Sequence, residues 1–116
     1  MPARRRTRPL VALALLAGAG AGAVAALPAA TASAATRTVT LRDIAFNPAR
    51  LTIARGDTVV WRWRDGGTRH DIASRSFRGA SARSSGTVAR TFRTAGTFRY
   101  RCTLHPGMNG AIVVRR

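Results

Sequence analysis

The feature that most limits the fold is a series of short stretches in which apolar residues take every second position. The clearest runs from Thr58 to Arg64, with Val59, Trp61 and Trp63 in alternate positions. A period of two puts alternate side chains on the same face of a β-strand, so the pattern predicts a half-buried strand. Shorter or less regular stretches of the same kind lie at 38–44, 51–53, 70–73, 87–93, 97–102 and 110–114.

The predicted strands are separated by residues that favour turns. Gly56 and Asp57 tolerate a positive φ and follow one predicted strand, and Gly96 lies between two others. Residues 74–86 are rich in Ser, Arg and Gly, and we expect them to be the least structured part, with Phe77 as their one large apolar anchor. No stretch predicts a helix of useful length. The chain is therefore predicted to be all-β, as an antiparallel sandwich or barrel.

The N-terminus has the composition of an export signal. Four arginines within residues 4–8 precede a 17-residue apolar run at 10–26, and small residues follow at 32–34. This order predicts a secretory signal peptide at 1–34, cleaved after Ala34, and a domain at 35–116. A retained membrane anchor is the alternative, although the run is short and weakly hydrophobic for that role. We expect cleavage, no membrane span in the mature chain, and an extracellular, cell-surface or periplasmic location.

The predicted mature chain is small and has one thiol. Its 82 residues bury a modest core, and domains of that size are usually stabilised further by disulfides, metals or partners. Cys102 is the only cysteine, which excludes a disulfide within the chain. A bound metal would explain an unpaired thiol in an exported protein and would help to stabilise the fold.

The predicted mature chain is strongly basic. It contains 16 Arg and 4 Asp, and it lacks Lys and Glu. Such a charge can attract nucleic acids, anionic membranes or acidic proteins. Because the arginines are spread along the whole sequence, we interpret them as solvated surface residues that at most influence the choice of partner. We do not expect nucleic-acid binding.

Four residues form a candidate metal site. Cys102, His105 and Met108 are spaced three apart on a loop after a predicted strand, and His70 lies 32 residues upstream of Cys102 at the edge of another strand. Each residue taken alone is more often structural than functional. However, residues 35–116 contain only two His, one Cys and one Met, and a sandwich can bring all four to one end.

The types of these side chains indicate the metal. Two imidazoles, one thiolate and a weakly bound thioether make up the ligand set of blue-copper electron-transfer sites. Zinc also binds Cys and His, but Met is a poor zinc ligand, which favours copper. A nucleophilic Cys–His pair is a further alternative that the absence of an activating helix disfavours. Because catalytic copper sites need additional histidines, we expect no enzymatic activity.

The motifs around these residues resemble those of the plastocyanin-like cupredoxins. The resemblance covers residues 38 to 114, and the two-residue gaps in the ligand loop are most similar to amicyanin. It implies a Greek-key β-sandwich and one type 1 copper bound by His70, Cys102, His105 and Met108. It also implies one-electron transfer with soluble or membrane-bound redox partners. The matching segments are Phe46-Asn47-Pro48, residues 56–61, His70 and residues 95–110.

Two neighbours of His70 depart from the usual pattern of that family. Relatives often have Pro before this histidine and a neutral residue such as Asn after it, whereas this chain has Arg69 and Asp71. Asp71 can still fix the Cys102 loop by hydrogen bonding. Its negative charge would favour Cu(II) and lower the reduction potential, which Arg69 would offset.

Electron transfer is the predicted function. We expect His105 to be the point of electron exit, framed by a small docking patch of Leu104 and Pro106, and we expect a monomer that meets an acidic or membrane-bound redox partner. The alternative is an exported protein that scavenges or delivers copper without a redox role. The chain lacks the Met-rich or His-rich tracts that delivery proteins tend to expose.

Overall fold

A computed structural model describes residues 33–116, and these residues form strands without a helix. None of them forms a helix long and apolar enough to cross a membrane. The predicted signal peptide at 1–34 lies almost entirely outside the described residues, so it stays a prediction. The strands are β1 (Thr36–Leu41), β2 (Phe46–Asn47), β3 (Arg50–Ala54), β4 (Thr58–Trp63), β5 (His70–Ile72), β6 (Ala80–Arg83), β7 (Thr87–Thr91), β8 (Gly96–Arg101) and β9 (Asn109–Arg115).

The strands form two main sheets with the apolar core between them. One sheet has the order β2-β1-β4-β7, the other has the order β3-β9-β8, and β5 pairs with β6. The apolar residues at alternate positions of β1 and β4 face the core, as predicted, and Val39, Leu41 and Trp61 are fully buried. From the second sheet, Ile53 and Ile112 enter the same cluster. This arrangement confirms the predicted all-β sandwich.

Two strand pairs are parallel, so the expectation of a purely antiparallel sheet was wrong. Strand β1 pairs with β4 in parallel from Thr36↔Thr58 to Leu41↔Trp63. Strand β3 likewise pairs with β9 in parallel. Chain order explains the first pair, because the chain leaves β1 through β2, crosses to β3 in the other sheet, and returns beside β1. The alternation of apolar and polar residues does not reveal this crossover, since side chains alternate in the same way in parallel and in antiparallel sheets.

Two of the differences between the observed and the predicted strands have a clear local cause. Strand β1 ends at Leu41, because Asp43 and Ile44 adopt positive φ angles of 55° and 51°, which end an extended strand. The second difference is β6, which lies within the stretch expected to be least structured and pairs with β5 beside His70. Its sequence Ala-Ser-Ala-Arg lacks the β-branched and aromatic residues by which strands are recognised.

Aromatic rings pack along the middle of the core. Phe77 stacks on Trp61 at 5.6 Å between ring centroids, which confirms the expected apolar anchor. The ring of Tyr100 meets Trp61 edge-on at 5.5 Å. Burial raises the pKa of Tyr100 to about 12. These contacts fix β4 and β8 against each other, and β8 leads directly into the predicted metal loop.

Candidate metal centre

His70 is the first residue of β5 and is fully buried. Its backbone is fixed by Trp63 at the end of β4, whose Nε1–H donates a hydrogen bond of 2.9 Å to the His70 carbonyl oxygen. Its side chain points toward the loop that follows β8, and Nδ1 lies 3.9 Å from Sγ of Cys102. The structure therefore brings together the two residues that are 32 positions apart in sequence.

The loop after β8 holds the other three candidate ligands. The backbone N–H of Cys102 donates a hydrogen bond of 2.9 Å to the carbonyl oxygen of Met108. The backbone N–H of Met108 donates one of 3.1 Å to the carbonyl oxygen of His105. Gly107 makes this tight reversal possible with a φ of +88°. Nδ1 of His105 lies 3.5 Å from Sγ of Cys102. Cys102 and Met108 are both buried, so the thiol and the thioether are shielded from solvent.

The spacing of the donor atoms fits one metal ion. One ring nitrogen of each histidine and Sγ of Cys102 lie within 4.8 Å of one another. A first-row divalent metal with bonds of about 2.3 Å to sulfur and about 2.0 Å to nitrogen, at tetrahedral to trigonal angles, separates sulfur from nitrogen by roughly 3.5–3.7 Å. The separations of 3.9 and 3.5 Å therefore allow a common metal with only small adjustments. The soft donor set favours copper over harder cations.

Asp65 is a residue of the candidate site that the sequence analysis missed. Its Oδ2 lies 2.8 Å from Nε2 of His70. Because a carboxylate accepts hydrogen bonds, this contact places the imidazole proton on Nε2 and leaves the lone pair of Nδ1 facing Cys102. Its position five residues before His70, in a polar loop with two glycines, was the available signal.

The Asp65 carboxylate also organises the loop after β1. It accepts hydrogen bonds of 3.0 Å from the amides of Asp43 and Ile44, the two residues with positive φ. The bond from Ile44, followed by that from His70, lowers the pKa of Asp65. Asp65 therefore stays ionised at neutral pH and holds His70 and this loop in one network.

Asp71 fixes the cysteine loop, as expected from the sequence. Its carboxylate accepts hydrogen bonds from the backbone amide of Thr103, at 2.7 Å, and from the Thr103 hydroxyl. Burial raises the pKa of Asp71, but hydrogen bonds, first among them those from Thr103, together bring the pKa below its ordinary value. Arg69 instead donates to the carbonyl oxygen of Ala82 at 3.2 Å.

The surface above the site is partly apolar. His105 is half-buried, Pro106 is exposed, and Leu104 has 47% of its surface exposed. Leu104 and Ile44 are the exposed large hydrophobic residues of the described domain. Both lie on loops of the network just described, which gives this end of the sandwich an apolar rim.

The fold, the three convergent donor side chains and the buried Met108 on the same loop define a class: a β-sandwich metalloprotein with one mononuclear centre. Comparison with known families agrees, because residues 33–115 match the copper-binding proteins of the plastocyanin/azurin family. The chain belongs to this family. The predicted resemblance to cupredoxins is thereby confirmed, as is the copper cofactor, and His70, Cys102, His105 and Met108 are positioned as a type 1 copper site.

Individual relatives support the same assignment. Halocyanin from Natronomonas pharaonis is 35% identical over 78 residues, which cover 60% of this chain and 48% of halocyanin. The chain thus spans about half the length of this curated relative. A reduced amicyanin variant has a TM-score of 0.60 at 29% identity, covering 69% of this chain and 82% of amicyanin. A purple cupredoxin from Nitrosopumilus maritimus, at 20% identity and a TM-score of 0.62, shares the fold over 68% of this chain and 99% of its own.

Proposed function

We propose that this protein carries single electrons on a type 1 copper ion bound by His70, Cys102, His105 and Met108. The observation that supports it most directly is the convergence of two imidazole nitrogens and a buried thiol within 4.8 Å. Copper supplies the one-electron Cu(I)/Cu(II) couple when bound.

The protein's own contribution is a site held by bonds that do not depend on the metal. Asp65 orients His70 from one side, and Asp71 fixes the loop backbone at Thr103 from the other. The bond between the backbones of Cys102 and Met108 closes the loop. A site fixed in this way rearranges little when the charge of the bound ion changes, which is the condition for fast electron exchange.

Exchange with a partner takes place through His105. Its side chain is half-buried, so one part of the ring reaches the surface while Nδ1 faces Cys102. The exposed side chains of Leu104 and Pro106 beside it provide an apolar contact area. Protein interfaces typically have such an apolar centre with a polar rim.

The partner is a redox protein, either acidic or bound to a membrane. The net positive charge of residues 35–116 would speed its association with an acidic partner at low ionic strength. The protein acts as a monomer after cleavage of residues 1–34 and is located outside the cytoplasm, in the periplasm, at the cell surface or in the medium. It is not an enzyme, because both of its histidines serve the one copper site.

Copper loading tests the site. Addition of one equivalent of Cu(II) to the purified protein is expected to produce an intense blue absorption from the thiolate–copper bond. The Cys102→Ser variant should stay colourless, and Ser84→Ala, an unrelated change of similar size, should keep the colour. A colourless protein, or a Cys102→Ser variant that turns blue, would contradict the proposed ligands.

Voltammetry separates electron transfer from copper delivery. A reversible one-electron wave without loss of copper is expected for an electron carrier. Slow or irreversible voltammetry, together with ready transfer of Cu(I) to a copper-chelating acceptor protein, would instead assign the protein to copper scavenging or delivery.

A further inference from the structure

A cavity of about 700 Å³ lies along β8, beside the loop that holds three of the candidate ligands. It borders on both ends of that loop, because its residue Arg101 precedes Cys102 and its residue Asn109 follows Met108. None of the four candidate ligands lines it. We call it the flank cavity, and it is lined by residues 73–76, 97, 99–101, 109 and 110.

Hydrogen bonds fix the two walls of the flank cavity to each other. The backbones of Ala73 and Arg101 exchange two hydrogen bonds, of 2.8 and 3.0 Å. The hydroxyl of Ser74 donates a third, of 2.7 Å, to the carbonyl oxygen of Arg99. The segment that carries Arg75 is therefore held against the edge of β8, and the shape of the cavity does not depend on a ligand.

Three exposed arginines line the flank cavity: Arg75 on one wall, and Arg99 and Arg101 on the other. Arg99 and Arg101 lie two residues apart on one face of β8, which separates their Cα atoms by about 7 Å. Within residues 33–116, no aspartate lines the cavity, and none of these three side chains forms an ion pair with another described residue. The nearby Asp71 is bonded to Thr103 instead. The three guanidinium groups are thus available to an external anion.

The edge of β8 adds neutral hydrogen-bond donors. Arg101 turns its backbone N–H and C=O toward Ala73 and away from β9. Because these directions alternate along an antiparallel strand, the backbone N–H groups of Arg99 and Thr97 point to the same side. The side chains of Thr97 and Asn109 supply a hydroxyl and an amide. The flank cavity therefore combines positive charge with several donors, which is the combination that binds anions.

Arginines are numerous over the whole surface, but those of other cavities have a different setting. In a cavity between β6 and β7, the guanidinium of Arg90 already donates to the carbonyl oxygens of Arg78 and Gly79, at 2.7 and 2.8 Å. In the same cavity Arg83 lies over the ring of Trp63. Two cavities at the end of β9 are smaller, about 470 and 530 Å³, and besides arginine they are lined mainly by Ala, Gly and Val. The flank cavity differs from these by its unengaged arginines and its neutral donors.

The lining of the flank cavity defines the class of ligand. Guanidinium groups bind carboxylates and phosphates through two parallel hydrogen bonds. Three guanidinium groups on two facing walls favour an anion that carries two or more such groups over an anion that carries one. A volume of about 700 Å³ is within the range of small-molecule sites, so it accommodates a tricarboxylate or a pyrophosphate.

We propose that the flank cavity binds a small polyanion, with two or more carboxylate or phosphate groups, between Arg75 on one wall and Arg99 and Arg101 on the other. The anion lies beside the metal loop and does not cover His105 or Leu104. Because none of the four candidate copper ligands takes part, this binding stands or falls separately from the proposed electron transfer.

Calorimetric titration of the full chain with citrate and with pyrophosphate tests this proposal. The protein is kept free of copper, so that the anions cannot chelate the metal, and the buffer contains about 0.15 M NaCl. Saturable binding of one anion per chain is expected, and the tighter of the two anions shows whether carboxylates or phosphates are preferred. Acetate, the monovalent control, should bind at least tenfold more weakly.

Two triple variants show whether the flank cavity is the site. The cavity variant should bind either polyanion more weakly by on the order of a hundredfold, and it replaces by Gln the residues Arg75, Arg99 and Arg101. The control variant should bind within about threefold of the wild type. It removes the same charge from exposed positions outside the cavity, by replacement with Gln of Arg50, Arg64 and Arg93.

Near-UV circular dichroism confirms that both variants are folded. The single variant Arg75→Gln changes only an exposed loop residue and should still weaken binding by about three- to tenfold, so the test does not depend on the triple variant. Equal losses in the two triple variants would show that net charge alone attracts the anions and would overturn the proposal. Binding that does not saturate, or acetate that binds as tightly as citrate, would overturn it too. Tighter binding of hexaglutamate than of either small anion, lost only in the cavity variant, would assign the cavity to an acidic protein instead.

Discussion

Nε2 of His70 lies 2.8 Å from Oδ2 of Asp65, and this contact joins the buried candidate ligand to the loop after β1. The same carboxylate binds the amides of Asp43 and Ile44, so a strained turn and a metal-facing imidazole depend on one side chain. A carboxylate that accepts a hydrogen bond from a ligating histidine fixes the tautomer of the ring. It also makes the imidazole a stronger electron-pair donor to the metal. Its removal should therefore weaken metal binding and loosen the loop after β1.

The Asp65→Asn variant tests this role. The amide keeps an acceptor for Nε2–H, but it loses the negative charge and turns its NH₂ group toward a backbone N–H of the loop after β1, so we expect the affinity for Cu(II) to fall by about ten- to a hundredfold. Competition with a chelator of known affinity measures this change. Asp43→Asn removes the same charge from an exposed neighbour and should change the affinity by less than about threefold. Equal effects in the two variants would contradict the role of Asp65.

Asp71 should influence the reduction potential. Its carboxylate holds the backbone of Thr103, next to Cys102, and its negative charge stabilises Cu(II) relative to Cu(I). The Asp71→Asn variant keeps an oxygen that accepts the Thr103 amide, so the reduction potential should rise while the blue absorption is retained. Voltammetry at constant pH and ionic strength measures the shift. A potential that is unchanged or lower would refute the electrostatic role.

Gly79 lies where the chain crosses β5, and a side chain has no space there. A Cβ atom at this position would overlap the carbonyl oxygen of Ile72, which belongs to the backbone and cannot rotate away. We expect Gly79→Ala to reduce the free energy of unfolding by about 1–3 kcal/mol, as overpacking does. Gly67→Ala is the matched control, because its Cβ would meet no atom within 4 Å. Urea denaturation measures both, and a loss of equal size at Gly67 would contradict the steric explanation.

Much of the fold was predictable because the alternation of apolar and polar residues along a strand indicates which side chains face the core. Val59, Trp61 and Trp63 take alternate positions in the sequence, and all three are buried. The parallel pairing of β1 with β4 was not predictable in this way, because it depends on the route of the chain between the sheets. Strand β6 was missed because its short Ala and Ser side chains carry no β-strand signal.

The candidate metal site was also predictable only in part. The four ligand candidates could be found because the domain has so few His, Cys and Met residues. Asp65 could not be distinguished from the other three aspartates, since its role depends on a loop conformation that brings it within 2.8 Å of His70.

Asp57 should make the stability of the domain depend on pH. Hydrogen bonds from the amides of Ala35 and Ala54 lower the pKa of its carboxyl group below the ordinary value of 3.8. A carboxyl whose pKa is lower in the folded state stabilises the protein fully above its unfolded pKa. That stabilisation is lost as the pH falls through the folded pKa. The contribution of Asp57 should therefore be complete at pH 6 and decline below about pH 4.

The Asp57→Asn variant isolates this contribution. An amide has one oxygen for two donated hydrogen bonds, and its NH₂ group would face a backbone N–H, so the variant should be less stable than the wild type at pH 6. Because protonation also weakens the wild type in acid, the difference in unfolding free energy should shrink between pH 4 and pH 2. Urea denaturation of the copper-free protein across this range measures it, with Asp43→Asn as the exposed control. A difference that stays constant from pH 6 to pH 2 would show that the ionised form of Asp57 is not what stabilises the turn before β4.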